Sequence, residues 1–293
     1  MNLAEALKNK DVILLDGAIG TELDKRGLMG RAGTNLENPE AVLEIQREYA
    51  QCGCDALITN TLTINRIYIE THNLDVSVKD VNKAGVELAK QAAQEGQYVL
   101  GDISSTGQLL EPYGDYKESQ FYDAYKEQAE ILAEAGVDGF IIETVFDLRE
   151  AMCALRACKE NFSLPVIASI AFATDEKGGR TIMGNYAEQC AKNLNDAGAD
   201  VIGANCGDID PSQMAVIVSE LKLKSASSLP ILAQPNAGRP KLIDDKTIFD
   251  MKPEAFAKGI AECIEAGASI VGGCCGTSPE HIRAVAKMLD EKR

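Results

Sequence analysis

Four stretches of the chain repeat one pattern, in which a helical spacing gives way to a small-residue turn and then a short apolar run. They are QCGCDALITN (51–60), EAGVDGFIIET (134–144), NDAGADVIGANC (195–206) and EAGASIVGGCC (265–275). The glycine in each stands where a helix C-terminus favours a left-handed residue. The runs that follow are apolar throughout, as parallel strands buried on both faces are. VILLD (12–16), YVLGDI (98–103), PVIASIAF (165–172) and PILAQPN (230–236) have the same character, which makes eight expected strands. Helical stretches separate them, among them 39–51, 80–94, 121–135 and 253–266. Asn38-Pro39, Asp210-Pro211 and Ser278-Pro279 each offer an N-cap followed by proline at the first helical position. Eight strand–helix units in one unbroken chain predict an α/β fold, a single (β/α)8 TIM barrel over residues 1–293. A doubly wound open sheet is the rival, but no glycine-rich dinucleotide fingerprint follows a strand.

Barrel active sites sit at the C-terminal ends of the strands, so the residues that end each strand carry the functional information. The first strand ends in Asp16-Gly17-Ala18-Ile19 and the second in Thr59-Asn60-Thr61. The third runs into Gly101-Asp102-Ile103-Ser104-Ser105, the fourth ends in Glu143-Thr144 and the sixth in Asn205-Cys206. The seventh ends in Pro235-Asn236-Ala237-Gly238 and the eighth in Cys274-Cys275-Gly276. Polar, small and sulfur-bearing residues therefore gather at one end of the expected barrel.

Composition narrows the chemistry. The net charge of −16 argues against a nucleic-acid surface or an anionic membrane as partner. No run approaches the ~20 apolar residues of a membrane span, and no secretory signal pattern opens the chain; a cytoplasmic protein is expected. Only two histidines occur, His72 and His281, which excludes a histidine-rich metal site. The nine cysteines are an odd number in a chain that is not small, so a disulfide framework is not expected.

The adjacent Cys274 and Cys275 bridge poorly to each other, because a disulfide wants its Cα atoms roughly 5.5–6 Å apart. Alternate strands contribute to the same interior layer of a barrel, so Cys206 on the sixth strand can approach this pair on the eighth. Three thiolates around one ion are the ligand set of a zinc site with a fourth position open. Both neighbours ligate only if the chain leaves strand geometry there, which Gly276 permits. Buried structural cysteines and a redox pair are the alternatives. A zinc site of this kind suits one task, holding a substrate thiol as thiolate.

The motifs LLDGAIGTEL (14–23), TNT-x3-NR (59–66), GDISSTGQLLEPYG (101–114), IETVFDLREA (142–151), GANC (203–206), QPNAGRP (234–240) and GGCCGTSPEHI (272–282) resemble those of the zinc-dependent homocysteine S-methyltransferases, in that family's order and over almost the whole chain. Within the family, the resemblance is nearest to the homocysteine-binding module of cobalamin-dependent methionine synthase. It implies a (β/α)8 barrel that holds Zn2+ on Cys206, Cys274 and Cys275. It also implies that Asp16 and Glu143 hold the amino group of homocysteine. The backbone amides of Gly17, Ala18 and Ile19 would receive its carboxylate, and Asn236 would orient the site or fill the open zinc position. Plainer roles are a helix cap for Asp16, an ion pair with Arg149 or Lys159 for Glu143, and a simple Asn-Ala-Gly turn for Asn236.

The sequence departs from the family at Ser104-Ser105, at Leu62 and at GDIDP (207–211), which bear on the methyl donor. The absence of tryptophan weakens an aromatic cage for betaine. No corrinoid-binding domain is expected within these residues. The expected donor is therefore a methyl-corrinoid carried by a separate protein that docks over an open mouth, with loops 103–115 and 207–211 as contacts. A small sulfonium donor, S-methylmethionine or S-adenosylmethionine, is the alternative within the same chemistry. A methylthiol:corrinoid transferase and a non-catalytic zinc-binding subunit are others.

Overall fold

The computed structural model describes residues 1–28, 33–224, 229–244 and 246–291. The strands in chain order are β1 (Ile13–Leu14), β2 (Ala56–Ile58), β3 (Tyr98–Ile103), β4 (Gly139–Val145), β5 (Val166–Ile170), β6 (Val201–Asn205), β7 (Ile231–Gln234), β8 (Lys241–Ile243), β9 (Lys246–Ile248) and β10 (Ile270–Val271). Eight of them pair in parallel in the order β1-β10-β7-β6-β5-β4-β3-β2. A parallel bridge between Leu15 and Ala56 joins β1 to β2 and closes the ring. This is the expected (β/α)8 barrel, with β10 as its eighth strand. The antiparallel hairpin β8–β9, inserted between β7 and the helix Pro253–Glu265, was not anticipated from the sequence. Among the described residues no helix is long and apolar enough to cross a membrane.

Strand alternation sorts the side chains into two cores. Ile13, Leu15, Ile58, Leu100, Ile141, Ile167, Val201, Leu232 and Ile270 fill the barrel interior, where Leu3, Ala6 and Leu7 of the N-terminal helix join them. Their neighbours Leu14, Leu57, Val99, Phe140, Val166, Ile202 and Ile231 face outward into the layer beneath the helices. Two residues further along the same inward rows, the chemistry changes. Leu100 is followed by Asp102, Ile141 by Glu143, Ile167 by Ser169, and Leu232 by Gln234. The interior is thus apolar at the N-terminal end of the strands and polar at the C-terminal end.

The internal repeat has a physical basis. Gly53, Gly136, Gly198 and Gly267 all take positive φ, as helix-ending residues do. Two residues later stands Asp55, Asp138, Asp200 or Ser269. Each donates its backbone N–H to the preceding barrel strand or its start, at Leu14 O, Val99 O, Val166 O and Ile231 O respectively. The three aspartates also accept from that same residue's N–H, at 3.0 Å from Leu14, 2.8 Å from Val99 and 2.8 Å from Val166. Each carboxylate therefore fastens two adjacent strands at the end remote from the polar layer. The Asp210 cap is made as expected, accepting from Gln213 N at 2.9 Å. Asn38 makes no side-chain cap bond, and the Ser278 hydroxyl pairs with His281 Nδ1 instead.

Asp55 also pairs with Lys10 across the β1–β2 seam. Replacing Asp55 by Ala removes a hydrogen bond to a charged group, worth about 1.5–3 kcal/mol. The thermal midpoint should fall by several degrees while metal uptake stays unchanged, because this end of the barrel lies away from the cysteines. Circular dichroism melts with a metal assay check both, and an unaltered midpoint would remove the fastening role.

Candidate functional site

The three expected metal ligands come together. Their Sγ atoms lie within 4.8 Å of one another, and Cys206 Sγ is 3.9 Å from Cys275 Sγ. Zinc–sulfur bonds of about 2.3 Å at tetrahedral angles separate two sulfurs by about 3.8 Å. The spacing and the soft donor set therefore fit zinc. The fit depends on leaving strand geometry at both sites. Cys206 takes φ 52°, unusual for a residue with a side chain, and Gly276 takes φ 80°. Gly207, at φ 80°, must be glycine, since a Cβ there would meet Phe172 O at 2.0 Å.

Backbone bonds fix the cysteine loop to its neighbours. Cys274 N donates to Pro235 O, Ala237 N to Cys275 O, and Cys206 N to Gln234 O. Thr277 Oγ1 donates to Cys274 O at 2.7 Å, and Tyr49 Oη reaches both Ala18 O and Thr277 O. Within the cluster, hydrogen bonds from Cys206 and Cys274 bring Cys275 down to about 4. Hydrogen bonds to Cys206 and Cys275, with burial, hold Cys274 well above the usual thiol range. The other six cysteines are buried and free, as expected of small apolar residues.

A cavity of about 610 Å³ opens on this cluster. Glu143, Asp102, Gln234, the three cysteines and the Gly17–Thr21 turn line its inner part. Glu143 is 8% exposed and its Oε2 has no partner among the described residues. Burial, and then the charge of Cys206, push its carboxyl up to about 7, against the effect of a hydrogen bond with Gln234. Among the described residues neither of the alternative ion pairs forms, because Arg149 engages Glu118 and Lys159 engages Asp200. Asp16 is fully buried and does not cap the helix Ile19–Lys25. Its Oδ2 accepts from Ile58 N at 3.0 Å, its Oδ1 is unpartnered, and burial raises its pKa well above the carboxylate range. Asp16 does not itself line the cavity; it lies behind the lining residues.

Asp102 completes the group and was not singled out from the sequence. It is 3% exposed, its Oδ1 has no partner, and burial followed by the charges of Glu143 and Asp16 raises it well above the usual range. The signal was present in the inward row that contains Leu100, two residues earlier. The expectation for the Ala18 amide needs correction, since that N–H donates to Thr277 Oγ1 at 3.1 Å. The Gly17 and Ile19 amides make no bond within the described residues. Asn236 forms the Asn-Ala-Gly turn through Gly238 N, and its Nδ2 donates to Gly207 O at 2.9 Å. Its Oδ1 is buried without a partner. The outer wall of the cavity comes from residues 33–37 and 62–76, and neither 103–115 nor 207–211 contributes to it beyond the adjoining strand ends.

Residues 13–289 match the family described as Homocysteine S-methyltransferase. The chain belongs to that family. It is 31% identical to the methionine synthase of Mycobacterium tuberculosis over 94% of this chain and 24% of that one. For the methionine synthase of Mycobacterium leprae the figures are 30%, 97% and 25%. The chain thus spans about a quarter of the length of these relatives. In fold it is similar to the metallated form of the Escherichia coli homocysteine methyltransferase MmuM, with a TM-score of 0.77, 23% identity and coverage of 97% of this chain and 98% of that one.

Glu143 makes the stability depend on pH. With its pKa raised from 4.5 to about 7 in the folded chain, the native state retains a proton that the unfolded chain releases. Its contribution therefore declines as pH rises through that window. Glu143→Gln should exceed wild type in urea stability by more at pH 8 than at pH 4.5. An equal difference at the two pH values would contradict the raised pKa.

Proposed function

We propose that this protein methylates the thiol of homocysteine to give methionine, at a zinc ion held by Cys206, Cys274 and Cys275. One observation carries the reading. A soft three-thiol cluster and buried carboxylates with unpartnered oxygens share one cavity, which matches a substrate bearing both a thiol and an ammonium group. Zinc, when bound, lowers the pKa of an incoming thiol so that it is present as thiolate near neutral pH. Glu143, with Asp102 beside it and Asp16 behind the lining, would hold the ammonium group. The Gly17 and Ile19 amides, with Ala18 shaping the turn, would receive the carboxylate. Asn236 would keep Gly207, and so the Cys206 turn, in place, and its Oδ1 is a ligand atom that would fill the metal's open position when substrate is absent. The thiolate sulfur then attacks the methyl carbon, and the bond from that carbon to the donor breaks with its electron pair on the donor.

For the donor, we favour a methyl-corrinoid carried by a partner protein. The likeness to methionine synthases supports this. So does the position of exposed apolar side chains: Leu62, Tyr113, Phe146, Ile182, Leu242 and Ile243 all lie in segments that follow barrel strands, around the mouth. A small sulfonium donor is the second reading. The cavity exceeds what homocysteine fills, and its outer wall combines Leu62, Ile64, Tyr68, Leu74 and Val76 with the acidic Glu37 and Asp75. Such a wall suits a cation with an apolar body.

Metal analysis should find one zinc per chain, and Cys274→Ala should lose it along with homocysteine binding while the circular dichroism spectrum is kept. Full zinc occupancy in that variant would sink the ligand assignment.

Turnover separates the donors. The protein with homocysteine is offered a methylated corrinoid protein, free methylcobalamin, S-methylmethionine, S-adenosylmethionine or betaine, and methionine is measured. The corrinoid protein should be the fastest. Faster turnover with a sulfonium would select the second reading, and none with any donor would favour a non-catalytic subunit.

A further inference from the structure

Thr144 follows Glu143 and takes φ 58°, a left-handed conformation that is a genuine outlier for a β-branched residue. It sits in a bulge. Ile142 pairs with Ala168 and Val145 with Ile170, so three steps on β4 face two on β5. A residue held this way costs on the order of 1–3 kcal/mol and persists only where its surroundings fix it. One side chain does the fixing. Asn205, fully buried on β6, accepts from Thr144 N at 3.0 Å and donates from Nδ2 to Thr144 Oγ1 at 2.8 Å. The same Oδ1 accepts from Ser169 Oγ at 2.8 Å, and Nδ2 also reaches Cys274 Sγ at 3.9 Å. The full hydrogen-bonding capacity of the amide is thereby used, across β4, β5, β6 and the loop after β10.

We propose that Asn205 is a positioning residue that couples the two halves of the site: by clamping Thr144 it aims Glu143 into the cavity, and by its contact with Cys274 Sγ it orients a metal ligand. This deepens the zinc and homocysteine reading and rests on it. A buried asparagine that merely satisfied its own polar atoms would need neither the strained threonine nor the sulfur. The clamp and the sulfur contact lie on one rigid planar group, so displacement of either end is felt at the other.

The test uses zinc-loaded protein and three variants, with zinc affinity by chelator competition, the thiolate charge-transfer band after Co2+ substitution, and homocysteine affinity by calorimetry, all normalised to the folded fraction. Asn205→Ala should weaken both zinc and homocysteine by at least about tenfold and shift the Co2+ band. Thr144→Val keeps the shape and loses only the Oγ1 bond, so homocysteine should weaken by roughly fivefold with zinc and the Co2+ band unchanged. Ser169→Ala removes a bond to the same amide outside the clamp and should change each by less than about twofold. If Asn205→Ala does not fold, the contrast between Thr144→Val and Ser169→Ala decides. Equal effects in those two variants, or wild-type affinities in Asn205→Ala, overturn the inference while the zinc reading stands. Wild-type protein that takes up no zinc overturns both.

Discussion

Three carboxyl groups are buried at the C-terminal end of this barrel, and each retains an oxygen that none of the described residues satisfies. Buried acceptors without partners are costly, and ionised ones more so. The carboxyls of Asp16, Asp102 and Glu143 accordingly have raised pKa values. Such a layer persists only because the rest of the barrel holds it. Below it, the inward rows are aliphatic and closed by the N-terminal helix. At the far end, Asp55, Asp138 and Asp200 make a different use of the same chemistry, each accepting one backbone N–H of a neighbouring strand. Carboxyl groups thus fasten strands at one end of the barrel and stand buried with an unpartnered oxygen at the other.

The sulfur cluster follows the same logic by a different route. Thiols tolerate burial better than carboxylates do, so the cost is met in backbone conformation. Cys206 and Thr144 carry positive φ without being glycine, and they lie at the ends of β6 and β4. Strain of this kind gathers at functional sites because ordinary strand geometry sends adjacent side chains to opposite faces. The lacing of Thr277, Tyr49 and Asn205 around these positions leaves the strained turns little room to relax.

Much of this was legible in the sequence, and the misses have physical causes. Short apolar runs after glycine C-caps located the barrel strands, because a parallel strand buried on both faces permits little else. The cysteines were legible because sulfur at the ends of two even-numbered strands has few other uses. Asp102 stands among the residues at the end of the third strand without a role there, although inward alternation from Leu100 places it in the site before β3 ends. Engagement of the Ala18 amide by Thr277 was not visible, since it joins residues 259 apart in sequence. The Ser278 cap is displaced because its hydroxyl pairs with His281, and nothing in the sequence shows that Asn38 makes no cap bond. The hairpin β8–β9 lacks the alternation that marks strands, and Lys241, Leu242 and Ile243 are all exposed.

Specificity follows from what is left unpaired. A site that rejects the wrong ligand by lost contact alone discriminates weakly, while one whose buried polar groups are stranded by the wrong ligand discriminates by orders of magnitude. A simple thiol entering this cavity would find the sulfur cluster but leave the free oxygens of Glu143 and Asp102 buried and unsatisfied. An amino acid without a thiol would satisfy those oxygens and gain nothing from the cysteines. Only a ligand that spans both pays neither penalty. Asn205 ties the turn beside Glu143 to Cys274, so on the proposed reading the frame of the barrel would set the length of the molecule as well as its end groups.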